Sequence, residues 1–273
     1  MKKFLYSCFF AAYAIGVCAQ NKAMIAKATD NKPALANESM ITKEPTNGSD
    51  DEVRQKLLLA QQKTKELFDE VEKRGLIVAG KSESALRTEI VKLAKDLFGM
   101  EEHWHKKIVR AGVNTLQKYS ADPPDRVIQK DDIVFLDFGP NYQGWETDVG
   151  RTYVVGNNPV KLKLKKDVAA GWREANAWYA KQKNLTGAEY FNYVANLAKR
   201  YGYEFGGDIA GHIIGRYPHE QPNPMNLSLD VHPDNPASIL LLDKQGNKRH
   251  WVLEIHFVDK ANGIGGFYEQ LLE

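Results

Sequence analysis

Asp137 and Asp148 stand eleven residues apart in the stretch from Asp131 to Gly156, DDIVFLDFGPNYQGWETDVGRTYVVG, which reads as two apolar strands joined by a hairpin. If the turn centres on Tyr142 and Gln143, the two aspartates lie directly opposite on antiparallel strands and point to one face. Like charges facing each other destabilise a ladder. An acid at the end of Ile133-Val134-Phe135-Leu136, where burial is expected, costs several kcal/mol unless a cation offsets it. This hairpin therefore reads as half of a metal site. Further along, FGGDIAGHIIGRYPHEQP sets His212 among glycines, which let backbone come close to whatever the imidazole faces, and His219 follows seven residues later. A lone histidine is more often structural than a ligand, and the glycines shift that balance. In WVLEIHF, strand alternation places Val252, Glu254 and His256 on one face, so a central acid again requires a cation. Glu269 closes the set within GGFYEQLL. A glutamate so near the terminus would ordinarily be solvated, but its aromatic and aliphatic neighbours leave burial open.

The elements that must position these residues are legible from periodicity and caps. Val53, Leu57, Ala60, Thr64, Leu67, Phe68 and Val71 recur at helical steps between Glu52 and Arg74, with Gly75 as a stop. Ser82 is an N-cap for a second helix carrying Leu86, Ile90, Leu93, Ala94 and Leu97 on one face before Gly99. His103 and His105 flank Trp104 ahead of a strand-like run from Lys107 to Gly112. They form either a solvated strand edge or a wall of the site. A proline-stiffened loop from Tyr119 to Arg126 leads to the aspartate hairpin. Beyond it, Lys161 to Lys183 forms a helix with Leu164, Val168, Trp172, Ala175 and Tyr179 in one stripe and a lysine-rich solvated face. Thr186 caps another helix that Gly202 ends. Strands followed by helix pairs imply an α+β layer structure.

Composition narrows the function. Met1-Lys2-Lys3 followed by FLYSCFFAAYAIGVCA has the basic start, apolar core and small residues of a secretory signal, residues 1–19, with cleavage leaving Gln20 first. Val17 before Cys18 argues against lipid attachment there, and the apolar core is too short to stay as a span. The two cysteines, Cys8 and Cys18, leave with that segment, which excludes cysteine nucleophiles and thiolate-bound zinc. Loss of Lys2 and Lys3 takes the basic count from 37 to 35, equal to the 35 acidic residues, so no nucleic-acid partner is implied. Residues 20–50 are polar and aperiodic, a disordered spacer, and residues 51–273 are long enough for one large domain.

Taken in order, D-x-G at Asp137, D-x-G-R-T at Asp148, G-H-x-x-G at His212 with His219 after it, then Glu254 and Glu269, resemble the pita-bread metallopeptidases. That family includes methionine aminopeptidase, aminopeptidase P, prolidase and the metal-free creatinase. The resemblance spans roughly residues 52–273 and implies a curved antiparallel sheet covered by helices. It implies that Asp137, Asp148, His212, Glu254 and Glu269 ligate two divalent ions. Asp148 and Glu269 would bridge them, and His212 would be the one nitrogen ligand. An oxygen-rich set suits manganese best, with cobalt, iron or zinc as alternatives. By the same resemblance Glu254 handles the proton of the attacking water and His219 supports the carbonyl oxygen.

Three departures bear on the carry-over. The family's histidine about eighteen residues before the first aspartate falls here near Tyr119, leaving His103 or His105 to replace it or its function unfilled. Ile255, not proline, follows Glu254, so the strand continues further. The additional N-terminal domain of aminopeptidase P and prolidase has no counterpart, so a preference for proline rests on relatives alone. The expected activity is that of an exported exopeptidase acting on short peptides, of the Xaa-Pro aminopeptidase or dipeptidase kind. An exported chain does not meet nascent proteins, which sets aside methionine removal. The alternative is a silent module that binds peptides or partners, but such a module has no reason to keep costly buried acids.

Overall fold

The computed structural model describes residues 49–219 and 226–273. The signal and spacer expected before residue 49 lie outside the described residues. Ser49 and Asp50, assigned to that spacer, instead cap and open the first helix.

Helix α1, Asp50–Lys73, starts with a capping box in which Ser49 and Glu52 satisfy each other's backbone N–H groups, reinforced by three acids in the first turn. Helix α2, Glu83–Phe98, is capped by Ser82 and stops at Gly99, whose φ of 65° only glycine adopts readily. Strand β1, Ile108–Ala111, follows, and a 3-10 turn, Gly112–Leu116, leads away from it. Strands β2, Ile133–Phe138, and β5, Val149–Val154, enclose a short ribbon of β3, Asn141–Tyr142, and β4, Trp145–Glu146. Helix α3, Pro159–Tyr179, begins with Asn158 as cap and proline in its first turn. Helix α4, Gly187–Arg200, has the Thr186–Glu189 capping box. Short strands β6, Glu204–Phe205, and β7, Gly211–Ile214, precede the long pair β8, His250–Asp259, and β9, Ile264–Leu271. As expected without proline after Glu254, β8 runs on past it to Asp259.

Among the described residues, seven strands form one antiparallel sheet in the order β1-β2-β5-β9-β8-β6, with β7 also paired to β8. Its two faces are distinct. Leu136, Phe138, Val149 and Tyr153 pack against Leu67, Phe68, Leu86 and Ile90 of α1 and α2. Trp251, Leu253, Ile255 and Phe257 pack against Leu164, Val168, Trp172 and Val194 of α3 and α4. Pairing across the ladder keeps partners on one face, so α1 with α2 and α3 with α4 cover the same side, half of the sheet per pair. The side chains that alternate with these point to the opposite side, where Leu57 near the start of α1 also reaches Val252 and Leu271.

Two expectations fail locally. Leu97, placed on the buried stripe of α2, is 44% exposed, and Glu83 is buried in its stead. Helix α3 stops at Tyr179, short of Lys183. The buried Glu83 joins α2 to the sheet, accepting from the N–H of Ala111 at 2.6 Å, the Asn114 amide at 2.9 Å and the N–H of Arg126 at 3.2 Å. Burial still raises its pKa, only partly opposed by these donors. Glu83→Ala strands three donors and is expected to lower stability by about 3 kcal/mol in urea unfolding, with Glu83→Gln costing less.

Candidate metal centre

One row of paired residues crosses the sheet on the face away from the helices. Asp137 on β2 pairs with Gly150 on β5, Gly150 with Glu269 on β9, and Glu269 with Glu254 on β8. The direct opposition of Asp137 and Asp148 expected from the sequence is therefore incorrect. Gln143 and Gly144 hold the positive φ values, 53° and 82°, so the turn sits one residue later than Tyr142-Gln143 and the register shifts by two. A shift of two preserves the face. Asp148 lies just before β5, diagonal to Asp137 and still on its side. Gly211, with φ 147°, has its Cα against the Val252 carbonyl, where a Cβ would collide. This brings β7 onto β8 and His212 beside the row.

The five expected ligands thus converge on a cavity of about 300 Å³, lined also by Trp104, His105, Tyr119, Phe135, His256 and Phe267. His212 Nε2 lies 3.3 Å from Asp148 Oδ2 and 3.8 Å from Glu269 Oε1, while its Nδ1 is held by the Ile213 carbonyl at 2.8 Å. Asp137, Asp148 and Glu269 are buried, and Glu254 keeps an edge on the cavity. Among the described residues, donor atoms form two clusters, His105 with Asp137 and Asp148, and Asp148 with His212 and Glu269, each within 4.8 Å. Glu254 belongs to neither cluster, although it pairs with Glu269 in the row. His219, the last described residue before 220–225, does not line the cavity. Its Nδ1 contacts Glu146 Oε2 at 2.7 Å and its ring stands edge-on to Trp104.

Two participants were not assigned from the sequence. His105, read there as a solvated edge, a wall, or with His103 a replacement for the family's upstream histidine, is buried with Nε2 3.0 Å from Asp148 Oδ1 and 3.8 Å from Asp137 Oδ1. The alternation of His103 and His105 was the available signal, but their position 32 or more residues before Asp137 gave no partner. Glu146, 1% exposed, accepts from the N–H groups of Gly215 and His219, tying the ribbon to the His219 loop.

The electrostatics express crowding. Burial raises the Asp137 carboxyl to about 7, with His105 opposing and Asp148 adding to the rise. Burial likewise lifts Glu254 to about 8 and Glu269 well above its usual value, reinforced by the neighbouring aspartates. Burial would depress His105 and His212, yet Asp148 outweighs it and holds both at about 9. Burial also opposes the ionised form of Asp148, but these two imidazoles keep it well below the usual carboxylate range. The residues fit divalent ions: Asp137 Oδ1 is buried without a hydrogen-bond partner, and four carboxylates line one cavity together with the His105 and His212 imidazoles.

Residues 55–241 match the sequence model of metallopeptidase family M24. The chain belongs to this family. An Xaa-Pro dipeptidase of Pyrococcus horikoshii is 28% identical over 147 residues, covering 54% of this chain and 41% of that protein, so the chain spans about two-fifths of this curated relative. The structure of a prolidase from Thermococcus sibiricus superposes with a TM-score of 0.62 at 25% identity, covering 82% of this chain and 56% of that one. A methionine aminopeptidase from Thermotoga maritima, at 19% identity, shares the fold, with a TM-score of 0.51 over 75% of this chain and 85% of its own. The M24 chain thus has the α+β pita-bread fold. Its described helices include none long and apolar enough to cross a membrane.

The raised pKa values set a pH dependence for the metal-free protein. Asp137, Glu254, His105 and His212 titrate at higher pH when folded than when unfolded, so the folded form binds more protons. Their contribution is present below the unfolded values and is lost as pH rises through about 7 to 9. With chelator present, the urea midpoint is expected to fall between pH 6 and pH 9. A level or rising midpoint would contradict this account.

Proposed function

We propose that this M24 chain is an exported, metal-dependent exopeptidase that hydrolyses short peptides, of the Xaa-Pro aminopeptidase or dipeptidase kind, with two divalent ions at the site. The observation that carries this reading is the position of Asp148, whose Oδ1 faces one donor cluster and whose Oδ2 faces the other. A carboxylate so placed suits a bridge between two ions. Asp137 would hold the first ion, His212 the second, Glu269 would bridge both, and Glu254 would complete the set. Manganese is the expected metal for a set this rich in oxygen.

What such ions supply when bound is a more acidic water and a polarised carbonyl. Glu254, beside Glu269 on the cavity wall, takes the proton of the attacking water and passes it to the leaving amine. The reaction needs no covalent intermediate. The family resemblance assigns His219 to the carbonyl oxygen as negative charge builds there; its ring stands edge-on to the cavity-lining Trp104, so a bound peptide would have to extend past Trp104 to reach it. Glu146 orients the His219 ring through its contact with Nδ1. Phe135, Phe267 and Ile108 form an apolar patch beside the carboxylates, where it excludes water from the reacting atoms. The similarity to an Xaa-Pro dipeptidase supports a preference for proline after the cut, and the leader sequence supports export with Gln20 as the first mature residue.

The mature chain with manganese should cleave members of a panel of short peptides, Xaa-Pro dipeptides and tripeptides among them. Cleavage of none, with metal shown to be bound, would retire the enzyme in favour of a silent binding module. Asp148→Ala should lose the shared ion and at least about a thousandfold in kcat/KM together, as elemental analysis and peptide assays would show.

A further inference from the structure

His105 stands to one side of Asp148 as His212 stands to the other. His212 Nε2 is 3.3 Å from Oδ2 of that aspartate and 3.8 Å from Glu269. His105 Nε2 is 3.0 Å from Oδ1 and 3.8 Å from Asp137. Two donors on one ion, each bonded at 2.0 to 2.1 Å, lie roughly 3.0 Å apart at a right angle and roughly 3.4 Å apart at a tetrahedral one. Both histidines are therefore close to the spacing of ligands sharing an ion. Asp137 Oδ1, which His105 approaches, is a buried oxygen that lacks a hydrogen bond among the described residues.

The chain fixes His105 there from both sides of the aspartate pair. Trp104 N–H donates to the Gly139 carbonyl at 3.1 Å, two residues after Asp137. Trp104 Nε1–H donates to the Thr147 carbonyl at 2.8 Å, next to Asp148. Asn141 N–H donates to the Glu102 carbonyl at 2.8 Å. At Gly139 a Cβ would overlap the His105 imidazole and the Trp104 indole, so the missing side chain is the space that the imidazole fills. The ring is confined edge-on to Trp104, and its side chain is only 7% exposed. A solvated strand edge needs none of this.

We propose that His105 is a ligand of the metal centre, joining Asp137 and Asp148 around the ion on the side away from His212, so that each ion has an imidazole of its own. The inference rests on the two-ion reading given above. The two ions are not held alike. His212 Nδ1 is anchored by the Ile213 carbonyl, whereas His105 Nδ1 is buried without a hydrogen-bond partner among the described residues. A ligating histidine gains basicity and fixed orientation from such a partner, so the His105 ion is the weaker bound.

Cobalt(II) titration of the mature protein, followed by calorimetry and by absorption, should show two unequal binding events. His105→Gln should keep the tighter event and weaken the other by about 10- to 100-fold. His212→Gln should weaken the tighter one. X-ray absorption on the fully loaded, unsubstituted protein needs no variant to fold and should count one imidazole per ion on average. Half an imidazole per ion, or two events unchanged in His105→Gln, overturns the His105 assignment and leaves the two-ion reading standing. An unsubstituted protein that takes up no second ion overturns both.

Discussion

Four carboxylates drawn into one buried pocket repel one another, and the rest of the architecture is arranged around tolerating that repulsion. In the metal-free protein the burden falls on protons: His105 and His212 stay charged against Asp148, while Glu254 and Glu269 resist ionisation. The same groups offer divalent cations a set of oxygens whose mutual cost is already borne by the fold. Packing supplies the means. The four helices cover the opposite face of the sheet with an apolar layer, so the acidic face carries little of the burden of holding the strands together.

The pocket exists because antiparallel pairing places distant residues side by side. Strand β5 lies between β2, which precedes it closely in the chain, and β9, at the far end of it, so Gly150 has Asp137 on one side and Glu269 on the other. Register alone then carries Glu254 into the row. The His105 segment and Glu146 are braced against this row by backbone and side-chain hydrogen bonds near both aspartates, which converts a set of acids into a site with defined walls.

Helix ends were legible because their signals are local. Ser82 and Thr186 satisfy orphan N–H groups within a few residues, whatever the remainder of the chain does, whereas Ser49 with Glu52 was read as spacer and the Asn158 cap before Pro159 went unread. Leu97 shows the limit. Helical period assigned it to the buried stripe, but at the end of α2 Ala94, Phe98 and Met100 meet the core and leave Leu97 in solvent. The turn at Gln143-Gly144 shows another, since one residue of displacement changes every cross-strand partner while leaving the faces unchanged. Histidines at 103 and 105 were visible as a pair, yet nothing within hydrogen-bonding range in sequence indicated that only the second would reach Asp148.

The sequence by itself determined which residues carry charge into apolar strands, where α2 and α4 start, and that Asp137, Asp148, His212, Glu254 and Glu269 occur in an order shared with the metallopeptidases. Those properties depend on residue type and short spacing. Tertiary structure alone decided the diagonal rather than opposed aspartates, the inclusion of His105 and the Glu146 contact with His219. Each of these depends on strand register and on loops packed across the sheet, and such long-range pairings are set by the burial of the whole apolar layer rather than by any neighbouring residue.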